Sequence, residues 1–186
     1  MPTHPKSLQG YLLLDGGKLH GSFFHRSAVL ICQHDSEGAF GLILNRPTNN
    51  KVGEALVANL PQAIKEQTLF IGGPVQPTAL SFLHSDAFLP NANVMLNLNL
   101  GHSLESLMDL GESFSATRKL RLFAGYSGWT GGQLEQELAR QDWLIHPASL
   151  DLVFHAEPAE LWKQILRKKD IRLRLLAESP EDPSRN

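Results

Sequence analysis

Ser127 lies in Gly125-Tyr-Ser-Gly-Trp-Thr-Gly-Gly132, a glycine-rich stretch that follows an apolar run and precedes a helical pattern. A serine at such a junction invites comparison with a nucleophile elbow, but that motif needs glycine two residues after the serine, and Trp129 stands there. Acyl transfer would also need a histidine oriented by an acid, and the eight histidines show no spacing that selects one. The sequence therefore favours a structural turn at Ser127, and no catalytic residue is assigned. The same loop, with Gly131 and Gly132 at a helix start, has the free N–H groups to capture an anion. Glu135 and Glu137 oppose this, and no phosphate-loop lysine accompanies it.

Cys32 and His34 are two residues apart on an expected strand, so both side chains share a face where an imidazole would lower a thiol pKa. A lone cysteine in an apolar run is more simply core filler. His34-Asp35 lacks the further histidine spacing of a metal site, so neither metal nor cofactor is expected. The turns at Asn45-Arg46-Pro47 and Gly72-Gly73-Pro74 are expected to line a cleft shared with the 125–132 loop. There Asn45 and Arg46 would supply polar contacts and Tyr126 and Trp129 a stacking surface. Arg46 is the strongest single ligand-binding candidate, for a small anion, because its planar guanidinium binds anions bidentately. The competing explanation is that these are tight turns in a sharply curved sheet. The ligand-binding candidates are thus His34, Asn45, Arg46, Tyr126, Ser127 and Trp129.

The elements that must position them are short. Apolar runs at 12–14, 27–33 and 39–44, divided by turn residues, predict strands, the last two as a hairpin with residues 27–33 buried on both faces. A proline break at Pro47 is followed by Val52, Leu56, Val57 and Leu60 at helical spacing, with Asn50 as cap. Strands are expected at 68–71, 79–84, 94–96 and 119–124. Leu104, Leu107 and Met108 predict a helix with Gly111 as C-cap, and Thr130 with Gln133 predicts a capping box for the helix after the glycine loop. Residues 147–154 read as mixed, 159–169 as a helix with Leu161, Trp162, Ile165 and Leu166 inward, and 171–175 as a strand or extended arm. The segment from Glu178 offers no apolar surface and is expected to be unstructured.

The 186 residues, 42% hydrophobic and 19% charged, predict one α+β domain spanning residues 8–176 between flexible termini at 1–7 and 177–186. A formal charge of −2 predicts no general attraction to nucleic acid or anionic lipid. Five cations, Arg167, Lys168, Lys169, Arg172 and Arg174, do fall within eight residues, but no aromatic platform accompanies them, and a solvated helix end is the simpler reading. A single cysteine, no leader-like apolar stretch and no long apolar span predict a cytoplasmic protein that does not cross a membrane.

Three blocks carry a resemblance: residues 23–47, ending in Gly-Leu-Ile-Leu-Asn-Arg-Pro47; Phe70-Ile-Gly-Gly-Pro-Val75; and Gly125-Tyr-Ser-Gly-Trp129 with Gly132-Gln-Leu-Glu-Gln-Glu-Leu138. In this order they resemble the AlgH/YqgE-like family of bacterial proteins over about residues 8–162. The resemblance implies an α+β fold around a strongly bent, barrel-like antiparallel sheet with flanking helices, a cytoplasmic location and no defined activity. Members are often labelled transcriptional regulators, yet no DNA-binding motif accompanies the label. Two readings follow: a regulatory or interaction protein with a protein partner, or a small-molecule-binding protein or enzyme using the cleft near Asn45, Arg46 and the 125–132 loop. Gly21-Ser22 stands before Phe23 where members usually carry Asp-Pro, and the C-terminal segment is unusually basic.

Overall fold

The computed structural model describes residues 5–56 and 59–181. Its first strands follow the apolar runs: β1 (Tyr11–Asp15), β2 (Ala28–Asp35) and β3 (Gly38–Ile43). A two-residue turn at 36–37 joins β2 to β3, pairing Leu30 with Leu42 and Asp35 with Gly38. Then come β4 (Pro47–Lys51), the single turn α1 (Val52–Ala55) and α2 (Gln62–Lys65). The middle of the chain forms β5 (Thr68–Ile71), β6 (Val75–Ser85), β7 (Leu98–Gly101) and α3 (Leu104–Glu112). The last part holds β8 (Lys119–Thr130), α4 (Gln133–Ala139), β9 (Trp143–Pro147), α5 (Leu150–Val153), α6 (Leu161–Arg167) and α7 (Ile171–Glu178).

The nine strands form one sheet in the order β4-β5-β8-β3-β2-β1-β9, with β6 pairing β7 and β8 beside this path. The twelve-residue β8 is its hinge: residues 122–124 pair β5, residues 119–124 pair β6, and residues 127–130 pair β3. Gly125, at φ 70°, makes the bend between the two halves, an angle that side chains resist. Burial on both faces explains the unbroken apolar run of β2. Ala28, Leu30 and Cys32 enter a core under α6 and α7, while Val29 and Ile31 enter a second core under α4. A third core, of Val52, Ile64, Phe82, Leu107 and Leu122, lies under α1 to α3.

The α+β class, the hairpin and the inward residues of α6 follow the sequence reading. The sheet is curved but not closed into a barrel, and it is not wholly antiparallel, because β5 and β8 run parallel. The glycine-rich 125–130 segment is strand, and the turn is confined to Gly131 and Gly132. Gly132, at φ 78°, caps α4, whose capping box is only half formed: the Gln133 amide oxygen accepts from the Thr130 N–H at 3.1 Å. Residues 47–51, expected as loop, form an edge strand, and the helix after them is one turn whose N-cap is Lys51 rather than Asn50. Val57 lies outside the described residues.

The strand near residues 94–96 sits instead at β7, Val94 being held in the preceding turn. Gly111 lies inside α3, whose C-cap is Ser113, and glycine stands there because a Cβ would lie 2.5 Å from Ile64 Cδ1. The mixed stretch is resolved into the end of β9, a short link and α5. The alternating 171–175 segment is helical: the Asp170 carboxylate accepts from the Leu173 N–H at 3.0 Å and starts α7. The boundary drawn at residue 177 falls within α7, where Ala177 is buried, and Ser179 and Pro180 dock on Arg26. Residues 1–4 and 182–186 lie outside the description, whereas Leu8 is fully buried.

Candidate functional site: a cationic cleft at Arg46

The six candidate residues do not converge on one cleft. His34 is a latch: its Nδ1 accepts from the Leu8 N–H at 3.0 Å, which leaves the ring proton on Nε2 to donate to Glu135 at 2.8 Å. Ser127 is fully buried and its hydroxyl donates to the Gly72 carbonyl at 3.0 Å, so it holds β8 against the 72–74 turn. Tyr126 stacks on Phe40 at 4.9 Å on one side of the sheet. Trp129 packs on the other, stacked on Phe24 at 6.2 Å. Cys32 is fully buried, and burial pushes its thiol pKa upward, which removes the thiolate a reactive cysteine needs.

Asn45 and Arg46 do belong to a cleft, with neighbours the sequence did not single out. Its frame is the loop between β1 and β2. The buried carboxylate of Asp15 accepts from the N–H groups of Gly17, Leu19 and Arg26 at 2.7, 3.2 and 2.8 Å. Three such bonds satisfy a buried anion without a cation. Arg26 takes φ 54°, and Asn45 brackets it, accepting from the Ala28 N–H and donating to the Arg26 carbonyl, both at 2.8 Å. The loop is thereby fixed with Arg26 and His25 turned towards α6.

Arg46 closes the other side. It donates to the His25 carbonyl at 3.0 Å and lies over the Phe23 ring at 5.2 Å. Burial lowers its pKa from the ordinary arginine value, an unfavourable term for the cation that an anion would relieve. Among the described residues no carboxylate lies within 4 Å of Arg46, whereas Lys163 on the facing wall reaches Glu160 at 3.6 Å. The Arg26 guanidinium lies over Trp162 at 5.3 Å and 4.0 Å from Glu181. Both ring nitrogens of His25 are shielded from solvent and make no hydrogen bond, Nδ1 standing 3.5 Å from Asp15.

Two adjoining lobes of about 240 and 260 Å3 share His25, Arg26, Trp162 and Glu181. Asn45, Arg46 and Lys163 line the first, Asp15 and His20 the second. The first lobe offers the Arg46 and Arg26 guanidinium groups and the Lys163 ammonium against the single acid Glu181 around a small volume, which suits a phosphate or carboxylate. The signal that would have drawn attention to this site is Asp15, an acid ending an apolar strand, with His20, His25 and Arg26 downstream.

Among the described residues no group of three His, Cys, Asp or Glu side chains is placed to hold a metal ion. A larger cavity, about 650 Å3, lies elsewhere, between α4, β9 and α7. A family profile described as AlgH-like matches residues 12–174. The chain belongs to the AlgH-like family. Relatives within it are a UPF0301 protein of Rhodococcus jostii, 33% identical over 99% of this chain and 94% of that one, and one of Chlorobium phaeobacteroides, 35% identical over 97% of each. The fold superposes on the solution structure of AlgH from Pseudomonas aeruginosa with a TM-score of 0.74 at 25% identity, covering 97% of this chain and 98% of that one. A Corynebacterium diphtheriae protein shares the fold, with a TM-score of 0.75 at 23% identity over 95% and 94% of the two chains. No described helix is long and apolar enough to cross a membrane.

Proposed function

We propose that this AlgH-like protein binds a small anionic ligand, a phosphate- or carboxylate-bearing metabolite, in the cleft between Arg46, Arg26 and Lys163. The observation that carries this reading is Arg46: half-buried, held in place by the His25 carbonyl and the Phe23 ring, and without a carboxylate partner among the described residues. A buried cation costs free energy unless paired, so a site that keeps one in place is organised for an incoming anion. Binding rather than turnover is the role, because the hydroxyl and thiol candidates, Ser127 and Cys32, lie outside the cleft and are sealed in the core. A cytoplasmic location fits the single, buried cysteine.

Thermal shift of the full chain against orthophosphate, pyrophosphate, sugar phosphates, nucleoside phosphates and dicarboxylates tests the proposal. A ligand present at a hundred times its dissociation constant adds about 2.7 kcal/mol of stability, and Arg46→Ala should abolish the gain. A regulatory or interaction role is a second reading. Large apolar side chains left in solvent support it, Phe88, Leu96 and Phe114 being 77, 83 and 93% exposed.

A further inference from the structure

The sheet ends on one side at β9, which pairs with β1 and, among the described residues, with nothing else. Its sequence, Trp143-Leu-Ile-His-Pro147, carries no charged side chain. Exposed strand edges are normally blunted by charge, proline or cover, because open N–H and C=O groups recruit other strands. The opposite edge, β4, follows that rule with both Pro47 and Lys51, whereas β9 carries only its terminal Pro147. At β9 the guards are displaced to the flanks: α4 packs on one face of the sheet and α7 on the other, leaving the edge at the base of a groove of about 650 Å3. Leu138 and Ala139 line one wall, Asp170, Arg172 and Leu173 the other, and Trp143, Leu144 and Ile145 lie between.

Charge decides what fits there. Arg172 lines the groove and Lys168 and Lys169 precede α7, and among the described residues none of the three has a carboxylate within 4 Å, whereas Arg167 is already engaged by Glu160 and Glu178. The acids of the groove are committed: Glu135 to His34 at 2.8 Å, and Asp170 to the Leu173 N–H that starts α7. Lys169 and Lys168 also depress the pKa of His146 on β9, after burial itself, so their positive field reaches the strand. Ile171 and Leu175, 69 and 66% exposed, extend an apolar surface along the same helix. A second copy paired edge to edge would bring two such cationic helices together. Nucleic acid would gain the charge but leave the strand edge and apolar walls unused.

We propose that the β9 edge and its α4–α7 groove dock an extended, acidic segment of a partner protein, which adds as a strand to β9, places apolar side chains against the two walls and sets its carboxylates beside Lys168, Lys169 and Arg172. Backbone pairing supplies affinity in this mode and the alternate side chains supply specificity. The site is separate from the Arg46 cleft and does not depend on what that cleft binds.

Selection from a random decapeptide library on the immobilised full chain, followed by anisotropy with fluorescein-labelled winners, tests this. The expected winners alternate apolar residues with Asp or Glu and slow hydrogen exchange of the 143–146 amides. The double variant Lys169→Glu/Arg172→Glu should weaken binding at least tenfold with unchanged melting temperature, and Ala139→Glu, on an exposed helix position, should weaken it too. Arg46→Ala should leave it intact. Failure to select any peptide would overturn the proposal, as would winners without acids, indifference to charge reversal, or protection of amides elsewhere. Displacement of the β9-bound peptide by a second copy of the chain, or tighter binding of an oligonucleotide at the same amides, would equally overturn it.

Discussion

The indole N–H groups of Trp129 and Trp143 donate to the same carboxylate oxygen of Glu137, each at 2.8 Å. Gln133 holds the other oxygen at 3.1 Å, so one acid on α4 fixes both tryptophans under the helix. The aromatic ring of Trp129 thus serves the core, and its loss should appear as loss of stability. Trp129→Ala should cost about 3 to 5 kcal/mol, and Glu137→Ala, which leaves two donors unmet, about 3 kcal/mol. Denaturant unfolding of the two variants checks this, and anion binding at Arg46 should survive in whatever fraction remains folded.

Gly73 abuts β8 so closely that a Cβ on it would stand 2.1 Å from the Tyr126 carbonyl carbon. The atoms it would meet are all backbone of residues 126 and 127, which leaves nothing flexible to move aside. Gly73→Ala should therefore destabilise by on the order of 3 kcal/mol, measured by urea midpoint, whereas Gly21→Ala, with open space around it but φ 77°, should cost about 1 kcal/mol from backbone strain alone.

The Thr117 and Ser115 hydroxyls, the Ala87 N–H and the Arg118 guanidinium hold the Asp86 carboxyl well below the usual carboxylate range, at about 2. A depressed folded-state pKa contributes stability above the unfolded value and loses it as pH falls through the folded one. Melting temperature should thus carry an Asp86-dependent decline between about pH 4 and pH 2. Asp86→Asn should flatten that part of the profile; an unchanged slope would show that the loop tie at Asp86 is not thermodynamically coupled to folding.

Arg26 donates to the carbonyls of Ser179 and Pro180 at 2.6 and 2.8 Å and to the Ser179 hydroxyl at 3.1 Å. Truncation after Ala177 removes these acceptors and the end of α7. It should lower stability by about 2 kcal/mol, about 4 to 8 °C in melting temperature. Arg26→Ala in the truncated chain should add less than it does in the full chain, since the two share those bonds.

Much of the fold is legible because its strands are buried on both sides. The β2–β3 hairpin has apolar residues at every core position, and nothing else accommodates Ser27-Ala-Val-Leu-Ile-Cys with a glycine-bearing turn after it. The glycines of 125–132 misled because glycine ordinarily punctuates, whereas here Gly125 bends a continuing strand and Gly73 admits it at backbone distance. The 171–175 alternation misleads because three apolar and two basic residues satisfy period two as well as a helix face, and the deciding cap is the single residue Asp170. At the site, Arg46 was visible as a cation beside a proline turn. Asp15, His25, Arg26 and Lys163 were not, since a loop fold and a distant helix bring them to Arg46.

Isothermal titration of the wild-type chain and of Arg46→Ala with the tightest anion from the thermal screen tests the cleft most directly. Saturable one-to-one binding to the wild type, weakened at least tenfold by Arg46→Ala and also by Lys163→Ala while both variants melt as the parent does, is the predicted result. Equal affinity in all three proteins, or no saturable binding of any phosphate or carboxylate, would contradict the assignment of this cleft as an anion site.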